Sequence, residues 1–69
     1  MAVNSNKRMR MMRLAEVLTM CGLSRSHLYA LVDQGKFPRQ VKLSSRAAAW
    51  VSDEVEHWIQ ARIEDRDQT

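Results

Sequence analysis

The sequence predicts a mainly α-helical winged helix-turn-helix, in which two short helices, a small β-hairpin and a third helix form one domain. Three observations predict this fold: two amphipathic helical segments joined by a turn containing glycine, a change to two-residue periodicity after Pro38, and a third amphipathic segment near the C-terminus. Sixty-nine residues bury a limited core and do not wall off a catalytic cleft of ordinary size. The sequence therefore predicts a binding protein and not an enzyme.

An apolar stripe predicts the first helix from Leu14. Its members, spaced at i, i+3, i+4 and i+7, are Leu14, Val17, Leu18 and Cys21. Gly22 follows directly, at the position where a helix end favours a residue free to adopt positive φ. Residues 12–14 ahead of the stripe form either a short strand or the entry to this helix.

Ser24 predicts the start of the second helix, because a serine oxygen accepts from the first backbone N–H groups of a helix. Its buried stripe consists of Leu28, Leu31 and Val32. Gly35 ends the helix, and Leu23 is expected to pack between the two helices. A pair of helices joined in this way presents the second helix as a rod that fits the major groove of DNA.

The segment after Pro38 predicts a β-hairpin, since proline cannot continue the helix and its predecessor favours extended geometry. Apolar residues then occupy odd positions, with a polar turn at residues 44–46; they are Val41, Leu43, Ala47, Ala49 and Val51. Ser52 is the expected N-cap of the third helix. The stripe of that helix comprises Val55, Trp58, Ile59, Arg62 and Ile63. We expect Phe37, Trp50 and Trp58 to lie in the hydrophobic core.

These elements divide the chain into three parts. Residues 1–11 are predicted to be a flexible basic arm, residues 12–64 the winged helix-turn-helix domain, and residues 65–69 a frayed tail. No apolar run is long enough for a membrane span, and no signal for export follows the basic N-terminus. A single cysteine excludes an internal disulfide, so we expect a cytoplasmic protein.

The net charge of +3 is unevenly distributed. Residues 1–46 carry nine Lys and Arg against two acids, a charge of 9 − 2 = +7, whereas residues 47–69 carry two arginines against six acids, a charge of 2 − 6 = −4. A positive front and a negative end are typical of a protein whose first two-thirds face a polyanion. The alternative interpretation is an ordinary solubility pattern.

The candidate DNA-binding residues of the second helix are Arg25, Ser26, His27 and Tyr29. Arg25 could donate a bidentate pair to guanine or bind a phosphate, and the Tyr29 hydroxyl could bind a phosphate. His27 is either a phosphate donor or part of the helix cap. Arg25 and Tyr29 could also be ordinary surface residues.

The hairpin supplies a second group of candidates, which are Lys42, Ser44, Ser45 and Arg46. Arg39, ahead of the hairpin, could be a DNA contact or a solvated residue. A wing beside the recognition helix could place Arg46 in a minor groove or on the backbone; the serines could equally form a solvated turn. The arm adds residues that could lie along phosphates by charge alone, namely Lys7, Arg8, Arg10 and Arg13. Nothing predicts a cofactor, and Cys21, His27 and His57 lack the spacing of a zinc site.

A resemblance to a known family is carried by the runs CGLSRSHLYALVDQGKFPRQVKL, RAAAW and SDEVEHWIQARI. They resemble the AlpA family of small phage and genomic-island regulators, which is similar to MerR-type and excisionase-type winged helix-turn-helix domains. The resemblance covers roughly residues 12–64, and its most specific part is G-L-S-R-S-x-x-Y followed by G-x-F-P. The sequence departs from the family at His27, where Thr is common, and at Ala30, where a basic residue is frequent.

The resemblance implies recognition-helix roles for Arg25, Ser26 and Tyr29, and wing roles for Lys42 and Arg46. It also implies a sequence-specific DNA-binding protein of a mobile element. Such a protein would act as a recombination directionality factor (an excisionase) that bends attachment-site DNA for a site-specific integrase, as a transcriptional regulator, or as both. We expect copies to associate cooperatively on double-stranded DNA, because one small domain makes few base contacts. The alternative is a protein-interaction adaptor that does not bind DNA.

Overall fold

The first helix, α1, spans Leu14–Cys21 and ends where the sequence predicts. The computed structural model describes residues 9–68, so most of the predicted arm lies outside the described residues. Gly22 adopts a left-handed conformation with φ 71°, and its N–H donates to the carbonyl of Leu18 at 2.8 Å. The N–H of Leu23 donates to the same carbonyl at 3.3 Å. These two bonds satisfy a carbonyl at the end of the helix and turn the chain toward the next one.

The second helix, α2, spans Arg25–Asp33. The predicted cap is confirmed, because the Ser24 hydroxyl accepts from the backbone N–H of His27 at 3.2 Å. Leu28 is fully buried on the inner face of the helix. The chain leaves α2 through Gly35, whose φ of 72° is a conformation that favours glycine.

Three short strands form one antiparallel sheet in the order β1–β3–β2. They are β1 (Met11–Met12), β2 (Val41–Ser44) and β3 (Ala47–Val51). The predicted hairpin is β2–β3, with Lys42 opposite Ala48 and a register irregularity between Lys42 and Ser44. β1 includes Met12, from the segment that the sequence left as strand or helix entry, and Met12 lies opposite Trp50. It also includes Met11, which the sequence assigned to the flexible arm but which pairs with Val51.

The third helix, α3, spans Ser52–Asp67. It includes residues 65–67, which the sequence assigned to a frayed tail. The expectation that Ser52 caps α3 is wrong. Val51 holds the cap position, and the Ser52 hydroxyl instead accepts from the backbone N–H of Arg10 at 2.9 Å. Within residues 9–68 no helix is long and apolar enough to cross a membrane.

The core lies where the sheet meets the helices. Its buried side chains are Met12, Val17, Leu28, Phe37, Ala49, Trp50 and Val55. Trp58 is half-buried and packs on this core with its ring centroid 4.8 Å from that of Phe37. The expectation of a core built on Phe37 and Trp50 is confirmed, whereas Trp58 lies at its edge.

Two indole N–H groups fix the loop between α2 and the hairpin. Trp50 Nε1 donates to the Pro38 carbonyl at 2.9 Å, and Trp58 Nε1 donates to the Lys36 carbonyl at 2.7 Å. The loop is thereby attached to both β3 and α3. These bonds hold the hairpin at a defined position beside α2.

Candidate nucleic-acid interface

The first turn of α2 is open to solvent. The side chains of Arg25, Ser26 and His27 are all exposed. Because Leu28 anchors the opposite side of the helix in the core, these three residues project from a firmly held element. The N-terminal end of a recognition helix is the part that approaches base edges in helix-turn-helix proteins.

Tyr29 has a different environment from its neighbours in α2. It is half-buried, and its ring centroid lies 6.3 Å from that of Trp50 with an interplanar angle of 58°. The ring therefore packs on the edge of the core, where the sequence predicted an outward residue. Its packing against Trp50 also connects α2 to β3.

A cleft of about 640 Å³ separates the end of α2 from the hairpin. It is lined by Val32, Asp33, Arg39, Gln40, Lys42 and Ala48. Lys42 faces this cleft because it pairs with Ala48 and therefore lies on the same side of the sheet. Two of the predicted basic residues, Arg39 and Lys42, thus meet beside α2.

The cleft also contains residues that the sequence did not place in the site. Gln40 and Ala48 were missed because neither has a distinctive motif. The cleft position of Ala48 follows only from the strand register. Asp33 is exposed and brings one negative charge to the same cleft.

The tip of the hairpin carries the remaining predicted residues. Ser44, Ser45 and Arg46 are all exposed, and the backbone N–H of Arg46 donates to the Ser44 hydroxyl at 3.4 Å. The Ser44 hydroxyl thus helps to shape the turn. The Arg46 side chain is exposed on the two-residue loop that follows β2, the strand that contains Lys42.

The basic side chains differ in whether they form ion pairs with acidic side chains. Within residues 9–68, ion pairs join Arg10 to Glu16, Arg62 to Asp65 and Arg66 to Asp67. In the same part of the chain, no acidic side chain forms an ion pair with the basic residues of α2, the hairpin and the loop between them, which are Arg25, Arg39, Lys42 and Arg46. All four are exposed, and Asp33 is the acidic residue that shares the cleft with Arg39 and Lys42.

The segment ahead of α1 contributes less than the charge pattern indicated. The Arg10 guanidinium binds the Glu16 carboxylate, which lowers the pKa of Glu16 through this hydrogen bond and raises the pKa of Arg10. Arg10 is therefore engaged within the protein. Arg13 precedes α1 and is exposed, whereas Lys7 and Arg8 lie outside the described residues.

Cys21 belongs to another part of the surface. It is partly buried at the end of α1, and burial raises the pKa of its thiol. Within residues 9–68, His, Cys, Asp and Glu side chains form no cluster of three that could hold a metal ion. Cys21 lies on the apolar stripe of α1 and packs against the hydrophobic core, as a small apolar side chain would.

The fold and this exposed basic face define a winged helix-turn-helix protein. The family model described as "Prophage CP4-57 regulatory protein (AlpA)" matches residues 10–63. The chain belongs to this AlpA family of prophage regulatory proteins. It is also 46% identical over 57 residues to the uncharacterized protein ORF88 of Enterobacteria phage P4. That alignment covers 83% of this chain and 65% of the phage protein, so the chain spans just under two thirds of that relative's length.

Proposed function

We propose that the protein binds double-stranded DNA with α2 in the major groove and the β2–β3 hairpin on the adjacent backbone or minor groove. The observation that carries this proposal is that Arg25, Arg39, Lys42 and Arg46, on α2, the hairpin and the loop between them, are exposed and form no ion pair within residues 9–68. Membership of a family of prophage regulators supports it.

The side chains have different roles in this proposal. Arg25, at the exposed start of α2, reads a base edge or holds a phosphate, and Ser26 and His27 add short donors beside it. Lys42 and Arg39 bind phosphates along the cleft, while Arg46 extends from the turn with Ser44 and Ser45. Arg13 adds a phosphate contact beside α1. The Tyr29 hydroxyl is proposed to bind a phosphate while its ring stays packed on Trp50.

The biological role that we propose is control of a mobile element. Several copies bind adjacent sites and bend the DNA, which brings together the arms held by a site-specific integrase. Smooth bending by tens of degrees costs on the order of a few kcal/mol, which repeated phosphate contacts can offset. The same contacts at a promoter would regulate transcription, so one surface serves both roles.

Footprinting on the attachment sites and promoters of the element distinguishes these roles. Protection of attachment-site arms, together with stimulated excision when integrase is present, supports the directionality role. Protection confined to a promoter supports regulation of transcription alone. The matched variants are Arg25→Ala, which should lose protection, and Lys36→Ala, which should retain it because Lys36 lines neither the cleft beside the hairpin nor the groove between α1 and α3. Absence of protection on every duplex would leave the protein-interaction adaptor as the better explanation.

A further inference from the structure

The C-terminal half of α3 leaves an apolar groove exposed. The groove has a volume of about 300 Å³ and lies between α3 and the end of α1. It is lined by Met20, Cys21, Trp58, Ile59, Arg62, Ile63 and Arg66, none of which lines the cleft beside the hairpin. Met20 is 46% exposed and Ile63 is 36% exposed, so apolar surface remains uncovered.

This half of α3 makes little contribution to the core. The buried residues of α3 are Ser52 and Val55, both in its first turn. Ile59 is half-buried, and the helix continues to Asp67. Ile59 still packs against the core cluster, whereas Ile63, one turn further along α3, is exposed. Exposed apolar surface of this kind is a feature of protein interaction sites.

One stripe of α3 has a sequence that is complementary to itself. Its residues follow at intervals of three, four and three positions and are Glu56, Ile59, Ile63 and Arg66. This is the spacing that keeps side chains on one face toward a packed helix. The order along the stripe is acid, isoleucine, isoleucine, base.

We propose that this stripe is the contact surface for a second copy of the chain, with the two α3 helices antiparallel about a two-fold axis beside position 61. In that arrangement Ile59 of each copy meets Ile63 of the other, and Glu56 of each copy meets Arg66 of the other. The apolar contact and the charge pair are each formed twice, as an isologous interface requires. The α3 helix of the partner copy lies in the groove beside Met20.

The interface is small. A helix of 16 residues is about 24 Å long and about 10 Å across. Two such helices cover much less than the roughly 1,200 Å² that marks the lower range of stable specific interfaces. The free dimer is therefore weak. If the protein binds DNA as proposed above, neighbouring sites raise the local concentration and this contact becomes cooperative.

Sedimentation equilibrium on the free protein tests the interface without DNA. The wild type should show a reversible monomer–dimer equilibrium at concentrations up to about 1 mM. Glu56→Arg and Arg66→Glu should each dimerise about tenfold more weakly than the wild type, because each places like charges opposite one another twice. The double variant reverses both charges and should dimerise as the wild type does. Ile63→Asp should be monomeric.

Glu64→Arg is the matched control, since it makes the same charge change on an exposed part of α3 away from the stripe. It should dimerise normally, and circular dichroism should show that every variant is folded. A wild type that is monomeric at about 1 mM overturns the proposal, as does a double variant that does not recover. Binding to a duplex with one site is measured separately. Its failure would overturn the proposed function and leave a dimer of the free protein in place.

Discussion

The indole N–H of Trp50 donates to the carbonyl of Pro38 at 2.9 Å, and this bond ties the start of the hairpin to the strand that crosses the core. Trp50 is 1% exposed and its ring also packs against Tyr29 of α2. One side chain therefore sets the position of the hairpin relative to α2. Both parts of the proposed DNA interface depend on that position.

Trp50→Phe should lower the free energy of unfolding by about 1–3 kcal/mol, because it leaves the Pro38 carbonyl without its donor in a partly buried place. Denaturant titration followed by circular dichroism measures the change. Trp58→Phe is the matched comparison, since Trp58 makes an equivalent bond to Lys36 in a more exposed place. An equal or larger loss in Trp58→Phe would contradict the central role given to Trp50.

Ser52→Ala should destabilise the fold by about 1 kcal/mol through loss of the acceptor for the Arg10 N–H, although α3 itself keeps its cap geometry. Amide hydrogen exchange should localise the effect to residues 10–12, next to β1. Ser24→Ala should cost about 1 kcal/mol in the same assay. In Ser24→Ala, the amides that exchange faster should lie in the first turn of α2. Faster exchange confined to α3 in Ser52→Ala would show that Ser52 acts as a cap after all.

Glu16→Gln should remove a pH-dependent contribution to stability. The Arg10 guanidinium lowers the pKa of Glu16 in the folded protein, so this contribution is full above the pKa of about 4.3 for an unfolded-chain Glu and is lost as pH falls through the lowered value. The difference in the free energy of unfolding between wild type and variant should be constant near neutral pH and shrink in acid. A difference that grows on acidification would have the wrong sign for this pair.

Arg25→Ala and Lys42→Ala should weaken DNA binding in different ways. If Arg25 reads a base, its loss reduces discrimination between the target and altered sequences by about 1–3 kcal/mol. Loss of Lys42 should weaken all sequences alike and reduce the magnitude of the salt slope by about 1. Competition binding on matched and mutated duplexes separates the two. Equal effects on every sequence would show that Arg25 is also a phosphate contact.

The local signals in the sequence predicted most of the helical structure. The stripe ending at Cys21, the left-handed Gly22 and the Ser24 cap are decided within a few residues, and all are present in the structure. The hairpin followed from two-residue periodicity after Pro38. Features of this kind depend on short-range backbone geometry, which neighbouring residues determine.

The features that the sequence did not predict depend on contacts between distant residues. A strand of two residues at Met11 has no period of its own and is formed by pairing with Val51. That pairing places Arg10 beside Ser52, which explains why the serine does not cap α3. The cleft with Gln40 and Ala48 likewise depends on strand register. The roles of the predicted DNA-binding residues stay predictions until binding is measured.

Whether the surface formed by α2 and the hairpin binds DNA is tested most directly by a salt titration of binding to duplex DNA from the attachment sites of the proposed mobile element. If about four to six phosphates are contacted, the logarithm of the association constant should fall with the logarithm of salt concentration at a slope of roughly −4 to −5. Lys36→Ala should leave the slope unchanged, because Lys36 lies outside both the cleft beside the hairpin and the groove between α1 and α3. A flat salt dependence, or binding to no duplex at all, would contradict the account.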